Sequence, residues 1–390
     1  MSFLTHLECV SCSGQYRPNQ PHNLCACGSP LFARYELQEV SKTLSPEKLA
    51  RRDRTLWRYR ELLPVESEVN VISLGEGVSP LIQAKKLGRK FGLESLFLKD
   101  ETFQPTGSFK ARGMAVAISK AKELGIRKIC LPSAGNAGSA AAAYSAAAGL
   151  EAFVFMPEDV EEVCQQECQA YGAVLDLAGK SIRDSAQAMN AHKQPDWFDI
   201  STLKEPYRVE GKKIMGYEIA EQMGWQLPDA IFYPTGGGTG LIGMWKAFGE
   251  MEELGWIGSK KPRMFVVQAE GCAPIVKAFK ENQERSQECQ NPQTQATGIK
   301  VPKALADFLI LRIVRESKGE AVSVREEQIQ DSFRLCARQE GMMFCPEGAA
   351  ALAGLQKLAG QGKISPGEKV VVFNTGSAIK YPSFLKQVLG

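Results

Sequence analysis

The chain has 390 residues, and 47 Lys plus Arg against 44 Asp plus Glu leave a formal charge of +3. With 44% apolar and 23% charged residues it has the composition of a folded protein of two or three domains. So balanced a charge gives no electrostatic footprint for nucleic acid or an anionic membrane. Only His6, His22 and His192 occur, which argues against a Ser-His-Asp hydrolase or a multi-histidine metal centre.

The first residues have neither a basic region nor an apolar run of signal-peptide type. Residues 131–150 are mostly Ala, Gly and Ser, too weakly apolar for a span. Eleven cysteines, an odd count in a long chain, fit reduced thiols better than a disulfide framework. A cytoplasmic protein is expected.

In chain order, the first feature is a cysteine ribbon within residues 1–40. Cys9-Val-Ser-Cys12 and Cys25-Ala-Cys27 form two knuckles that could supply four thiolates to Zn²⁺, the second one residue tighter than usual. A small ribbon held by packing alone is the other reading. Segment 46–62 then reads as a charged amphipathic helix. After it, β-rich runs precede helical stretches: 97–99 before 107–124, 128–131 before 136–148, 152–155 before 158–171, and 173–177 before 181–192. Strand 197–200 follows, then 230–233 before 239–254, 264–267 before 272–281, and 370–373 near the end. This alternation predicts βαβ units and largely parallel sheets. Residues 282–298 read as an exposed polar excursion.

Three loops each follow a strand and open a helix: 104–110, 133–138 and 235–240. Strand C-termini in open α/β sheets are where ligands bind, and helix N-termini offer N–H groups to anions. Gly236, Gly237 and Gly238 let backbone amides approach a phosphate, and Thr239 adds a hydroxyl. Residues 238–243 also satisfy G-x-G-x-x-G, so a nicotinamide dinucleotide is a rival ligand, with Glu270 as its ribose acid. Lys110 stands just inside a helix, where the dipole disfavours the ammonium and favours the amine needed for a Schiff base.

The run Leu98-Lys-Asp-Glu-Thr-Phe-Gln-Pro-Thr-Gly-Ser-Phe-Lys-Ala-Arg-Gly113 resembles the cofactor-lysine signature of fold-type II pyridoxal-phosphate (PLP) enzymes, and more closely that of the threonine synthases. The resemblance covers nearly the whole chain. It includes the ribbon, Trp57-Arg-Tyr-Arg-Glu-Leu-Leu-Pro64, Ser73-Leu-Gly-Glu-Gly-Val-Ser-Pro80 and Pro132-Ser-Ala-Gly-Asn-Ala-Gly138. It continues through Pro206-Tyr-Arg-Val-Glu-Gly211, Pro234-Thr-Gly-Gly-Gly-Thr-Gly240 and Asn374-Thr-Gly-Ser-Ala-Ile-Lys380. It implies a tryptophan synthase β-like fold: a small α/β domain at 105–180, a large PLP domain from 41–104 and 181–390, and the N-terminal ribbon.

Carried over by residue, the resemblance makes Lys110 the Schiff-base lysine and the acid/base at the substrate's Cα. It assigns Asn136 to the cofactor's ring hydroxyl, Gly236, Gly237, Gly238 and Thr239 to its 5′-phosphate, and Thr375 to its ring nitrogen. The amides of Ser133, Ala134 and Gly135 are expected to receive the substrate carboxylate, and Arg208 the phosphate of O-phospho-L-homoserine. Two departures stand out: Ala137 where a threonine is common, and Ala111 where Asp is common. The function implied is conversion of O-phospho-L-homoserine and water to L-threonine and phosphate by a homodimer without nucleic-acid or membrane partners. The alternatives are threonine or serine dehydration or a related β-replacement, the nicotinamide oxidoreductase, and a zinc-ribbon nucleic-acid binder resting on the first 40 residues.

Overall fold

The computed structural model describes residues 2–390. Strands β1 (Leu4–Cys9), β2 (Gln15–Tyr16) and β3 (Leu31–Tyr35) pair antiparallel in the order β2-β1-β3, forming the ribbon. Further along come β4 (Leu81–Gln83), β5 (Ser95–Asp100), β6 (Lys128–Pro132), β7 (Glu151–Met156) and β8 (Val174–Leu177). The remaining strands are β9 (Trp197–Asp199), β10 (Ala230–Pro234), β11 (Arg263–Ala269), β12 (Ala321–Val324) and β13 (Lys369–Asn374).

The strands make two parallel-rich sheets. One is four-stranded in the order β8-β7-β6-β9, all parallel. The other has the order β12-β11-β10-β13-β5-β4, parallel except for β4, which runs against β5. Central strand β10, Ala-Ile-Phe-Tyr-Pro, is buried at every position, as expected for a strand covered on both faces.

The chain forms two compact units. One comprises the chain through Val78, Gln104–Glu218 and Gly243–Trp256; the other comprises Ser79–Phe103, Ile219–Ile242 and Ile257–Gly390. The first holds the ribbon and the four-stranded sheet, the second the six-stranded sheet. This division differs from the expected 105–180. Strand β9 pairs with β6, so the smaller sheet draws in chain beyond residue 180. The ribbon also joins that unit: Asn23 Nδ2 donates to the carbonyls of Asp199 (2.7 Å) and Lys204 (3.2 Å).

Within the first unit, helix Asn136–Ala148 is built almost entirely of Ala, Gly and Ser. Alanine favours the helix, and small side chains let it lie close to the sheet. A Cβ on Gly138 would fall 2.3 Å from Met156 Cε and 2.7 Å from Val154 Cγ1, so only glycine permits that approach. Gly149, at φ +71°, ends the helix in the left-handed conformation. No helix among the described residues is long and apolar enough to cross a membrane.

The helix expected over 46–62 is broken. Pro46–Ala50 is α-helical, Leu56–Leu62 is a 3-10 helix, and Tyr59 has non-helical angles (φ −96°, ψ 26°). Thr55 bridges Gly77, and Arg58, Tyr59 and Glu61 are buried, so tertiary contacts override the helical periodicity. Beyond the polar excursion the alternation announces no element before 370. There the structure has β12 and helices Asp307–Glu316, Glu326–Glu340 and Pro346–Gly360.

Candidate active site

In the first unit, loop 104–109 delivers Lys110 as the first residue of helix Lys110–Glu123. Thr106 and Gly107 both have positive φ (+57° and +63°), making the turn abrupt. Gln104 Nε2 donates to the Gly77 carbonyl at 2.7 Å. Arg112, two residues after the lysine, donates to both oxygens of Glu218 (2.6 and 2.8 Å) and to the Gly77 carbonyl (3.0 Å), with both side chains fully buried. Such a two-pronged pair fixes orientation as well as charge, so Lys110 starts from a braced helix.

The second loop leaves β6. Gly135 sits at φ +122°, ψ −100°, a conformation open to glycine. Ser133 Oγ accepts from the amides of Gly135 (3.1 Å) and Gly138 (2.8 Å), while the Ser133 amide donates to the Phe155 carbonyl (2.8 Å). The Ser133 and Gly135 amides are thus bonded within the fold.

Arg208 opens helix Arg208–Gln222 and is 2% exposed. Its Nη1 donates to the Ile200 carbonyl at 2.7 Å, and its buried Nε meets no acceptor among the described residues. Before it, Glu205 accepts from the amides of Tyr207 (2.8 Å) and Arg208 (2.7 Å). Burial pushes the Glu205 carboxyl up to about 7 despite the Arg208 charge. Because β6 and β9 are adjacent and parallel, the Asn136 loop and the chain leading to Arg208 leave the same sheet edge.

Glycines join these helices. A Cβ on Gly211 would lie 1.9 Å from the Arg112 carbonyl oxygen, and one on Gly113 would lie 2.9 Å from that of Arg208. Helices Lys110–Glu123 and Arg208–Gln222 therefore meet backbone to backbone.

In the second unit, the glycine loop follows β10. A Cβ on Gly236 would lie 2.8 Å from Val301 Cγ2 and 3.0 Å from Ile299 Cα; Gly238, at φ +74°, would place one 2.3 Å from Ile310 Cδ1. Thr239, 5% exposed, begins the next helix. This is a backbone cradle at a helix N-terminus, the donor set a phosphate needs. Adjacent parallel strand β13 ends at Asn374, so Thr375 leaves the same sheet edge as the glycine loop. Its Oγ1 lies 3.6 Å from Cys345 Sγ. Asn374 donates to Asp100 Oδ1 at 2.9 Å and accepts from the Cys345 amide at 3.0 Å, fixing the turn. Backbone amides at a helix N-terminus suit the phosphate of PLP, the group this loop would hold.

The sulfurs of Cys9, Cys12, Cys25 and Cys27 all lie within 4.8 Å of one another, with Cys9–Cys27 at 3.4 Å and Cys12–Cys25 at 3.5 Å. A tetrahedral Zn–S₄ site with bonds of about 2.3 Å sets its sulfurs roughly 3.8 Å apart, so this cluster has the right scale.

From sequence, Glu205 and Lys212 have no role and Cys345 reads as an ordinary thiol. Lys212 had a signal, the i+4 spacing from Arg208 that places both on one helix face. Cys345 had none, because the contact with Thr375 joins distant chain segments. Glu76, given no ligand role from sequence, accepts from Trp57 Nε1 (2.8 Å), the Tyr144 hydroxyl (2.6 Å) and the Leu74 amide (2.9 Å), a structural carboxylate.

Residues 72–376 match the profile of the pyridoxal-phosphate dependent enzyme family. The chain is 34% identical over 376 residues to the threonine synthase of Methanocaldococcus jannaschii, covering 96% of this chain and 93% of that protein. It is 35% identical over 380 residues to that of Methanosarcina acetivorans, covering 97% and 92%. Among solved structures, maize serine racemase superimposes with a TM-score of 0.67 at 20% identity, covering 80% of this chain and 91% of that one. Threonine deaminase isoform 2 from Solanum lycopersicum gives a TM-score of 0.68 at 22% identity, covering 85% and 92%. At those identities the two structures support the fold-type II architecture alone. With a family profile across most of its length and threonine synthases about a third identical end to end, the chain belongs to the pyridoxal-phosphate-dependent enzymes and, within them, to the threonine synthase family.

Proposed function

We propose that this chain converts O-phospho-L-homoserine and water to L-threonine and phosphate as a PLP-dependent lyase. The observation that carries the substrate is Arg208, buried and with Nε lacking an acceptor among the described residues. A buried guanidinium matches a dianionic phosphate, whereas a substrate without one would leave the charge uncompensated. That difference favours the phosphorylated substrate over threonine or serine.

When bound, PLP supplies the electron sink that makes the substrate's Cα–H acidic. Lys110 holds the cofactor and removes the Cα proton. Asn136 would orient the ring hydroxyl, Gly236, Gly237, Gly238 and Thr239 would hold the 5′-phosphate, and Thr375 would meet the ring nitrogen. The Ser133-Ala134-Gly135 loop that opens the Asn136 helix would receive the substrate carboxylate. Arg208 holds the phosphate that leaves from Cγ, and water adds at Cβ.

Purified holoenzyme supplied with O-phospho-L-homoserine is expected to release phosphate and threonine in equal amounts. Ketoacid from threonine, with no phosphate release, would place it with the dehydratases. For the ribbon, the reading is one structural Zn²⁺ on Cys9, Cys12, Cys25 and Cys27, so elemental analysis of the untagged protein is expected to find about one zinc per chain. A folded, metal-free protein would favour a ribbon held by packing. The assembly expected is a cytoplasmic homodimer, checked by light scattering of the eluting protein and by cell fractionation.

A further inference from the structure

The anion subsite holds a cation beyond Arg208. Lys212 lies four residues along the same helix, hence on the same face, and is 2% exposed. Its Nζ lies 5.0 Å from the centroid of the Phe109 ring, and Lys110 Nζ lies 4.4 Å from that same centroid. Its stem runs against a bare backbone: a Cβ on Gly113 would fall 3.0 Å from Lys212 Cε and 3.4 Å from Arg208 Cβ. Gly113 thus opens the space in which both cationic side chains lie.

The carboxylates nearby already have partners. Glu205 accepts two helix amides. Asp199 accepts from the Ser201 amide and hydroxyl and pairs with Lys204 at 3.2 Å. Arg208 and Lys212, both buried, therefore share Glu205, with Lys110 a further like charge on Lys212 and Asp199 a further opposite charge on Arg208. Burial drives the Lys212 amine well below its usual range, and Arg208 and Lys110 push the same way, with Glu205 opposing. A lysine placed so serves no evident packing purpose that an apolar side chain would not serve better.

We infer that Lys212 is a second cation of the phosphate subsite, acting beside Arg208 to select a doubly charged phosphoryl group on the amino-acid substrate. A phosphate dianion arriving at the pair would hold the Lys212 amine protonated, which burial and its cationic neighbours otherwise disfavour. The inference rests on the proposed threonine synthase reading and names a specificity residue within it.

The test uses PLP-loaded protein and the variants Lys212→Met, Lys212→Gln and Lys212→Arg, each checked for folding by thermal melt. Two quantities are read: KM for O-phospho-L-homoserine, and the inhibition constant of L-threonine, which carries no phosphate. Binding of inorganic phosphate to the holoenzyme, followed by calorimetry, gives a readout without turnover. Met and Gln are expected to raise KM and weaken inorganic phosphate at least tenfold, leave threonine inhibition within about twofold, and be rescued in large part by Arg. Parallel losses for the phosphorylated and unphosphorylated ligands, or unchanged phosphate binding in Met and Gln, would overturn the assignment. A wild-type holoenzyme that releases no phosphate from O-phospho-L-homoserine would instead refute the parent reading, while calorimetry still decides whether Lys212 binds phosphate.

Discussion

Lys212 and Lys213 are consecutive, both are buried, and their surroundings are opposite. Lys213 Nζ lies 2.8 Å from Glu210 and 2.9 Å from Glu250, and Lys246 pairs with the same two carboxylates at 2.6 and 3.0 Å. The Tyr35 hydroxyl donates to Glu210 (2.9 Å) and that of Tyr217 to Glu250 (2.7 Å). Burial alone would lower Lys213, but Glu210 and Glu250 hold it above its usual range. Two cations meet two anions and the hydroxyls complete the shell, so the cluster is finished as folded. On the Lys212 side, no carboxylate among the described residues pairs with the amine directly, and Arg208 and Lys110 bear on it as like charges. Buried charge that is matched internally is structural, and buried charge left unmatched marks where an ion from outside belongs.

The largest expected effect lies beside Lys212, at Lys110. Lys110→Ala is expected to remove nearly all turnover, at least the roughly 10²–10⁴-fold typical of a positioned acid/base, while the melting temperature stays near that of wild type. Peptide analysis after borohydride reduction of the wild type is expected to find the pyridoxyl group on the peptide containing Lys110. An adduct on another lysine would end that assignment.

On the matched side, Glu250→Gln leaves Lys213 and Lys246 sharing one carboxylate. Breaking a buried pair in this way costs about 3–5 kcal/mol of stability, read by denaturant unfolding. The folded fraction is expected to keep its KM for the phosphorylated substrate. A raised KM with intact stability would erase the distinction between the two sides.

A smaller effect separates two carboxylates by pH. Lys213 and Lys246 draw Glu250, despite burial, down to about 2, so its contribution is full above the unfolded value of 4.5 and is lost as pH falls toward 2. Glu205 runs the other way. Burial raises it to about 7, so the folded state holds a proton that the unfolded chain releases above 4.5, and stability declines as pH rises from 4.5 to 7. Glu205→Gln is expected to remove that decline, on the order of 2–3 kcal/mol, seen as the difference between wild-type and variant unfolding at pH 5 and pH 8. An identical pH slope in the two proteins would mean that Glu205 is ionised throughout.

The parts legible in the sequence were those with local causes. Apolar runs such as Ala230–Pro234 gave the parallel strands, and the helix Asn136–Ala148 begins where the loop pattern placed it. The glycine run reads as a phosphate cradle because its constraint is local, while the close contacts at Gly236 and Gly238 are with Val301, Ile299 and Ile310, packing that the sequence does not show. Edge strand β4 escaped because three residues, Leu-Ile-Gln, carry no periodicity. The broken helix after Ala50 depends on Gly77, a partner more than twenty residues away. The meaning of Glu210-Gly211 was likewise hidden. Glu210 completes the closed cluster, and Gly211 lets the helix carrying Arg208 touch the helix carrying Lys110. Glu210 meets Tyr35 across 175 residues of chain, and Gly211 meets Arg112, so both facts belong to packing between distant segments.

The most direct test of the unmatched charge is Arg208→Leu in the PLP-loaded enzyme, measured as kcat/KM for O-phospho-L-homoserine beside the inhibition constant of L-threonine. Loss of a desolvated, charge-assisted contact predicts a drop in kcat/KM worth on the order of 2–5 kcal/mol, with PLP still bound and threonine inhibition nearly unchanged. Equal losses for the phosphorylated substrate and for threonine would contradict it, making Arg208 a structural residue.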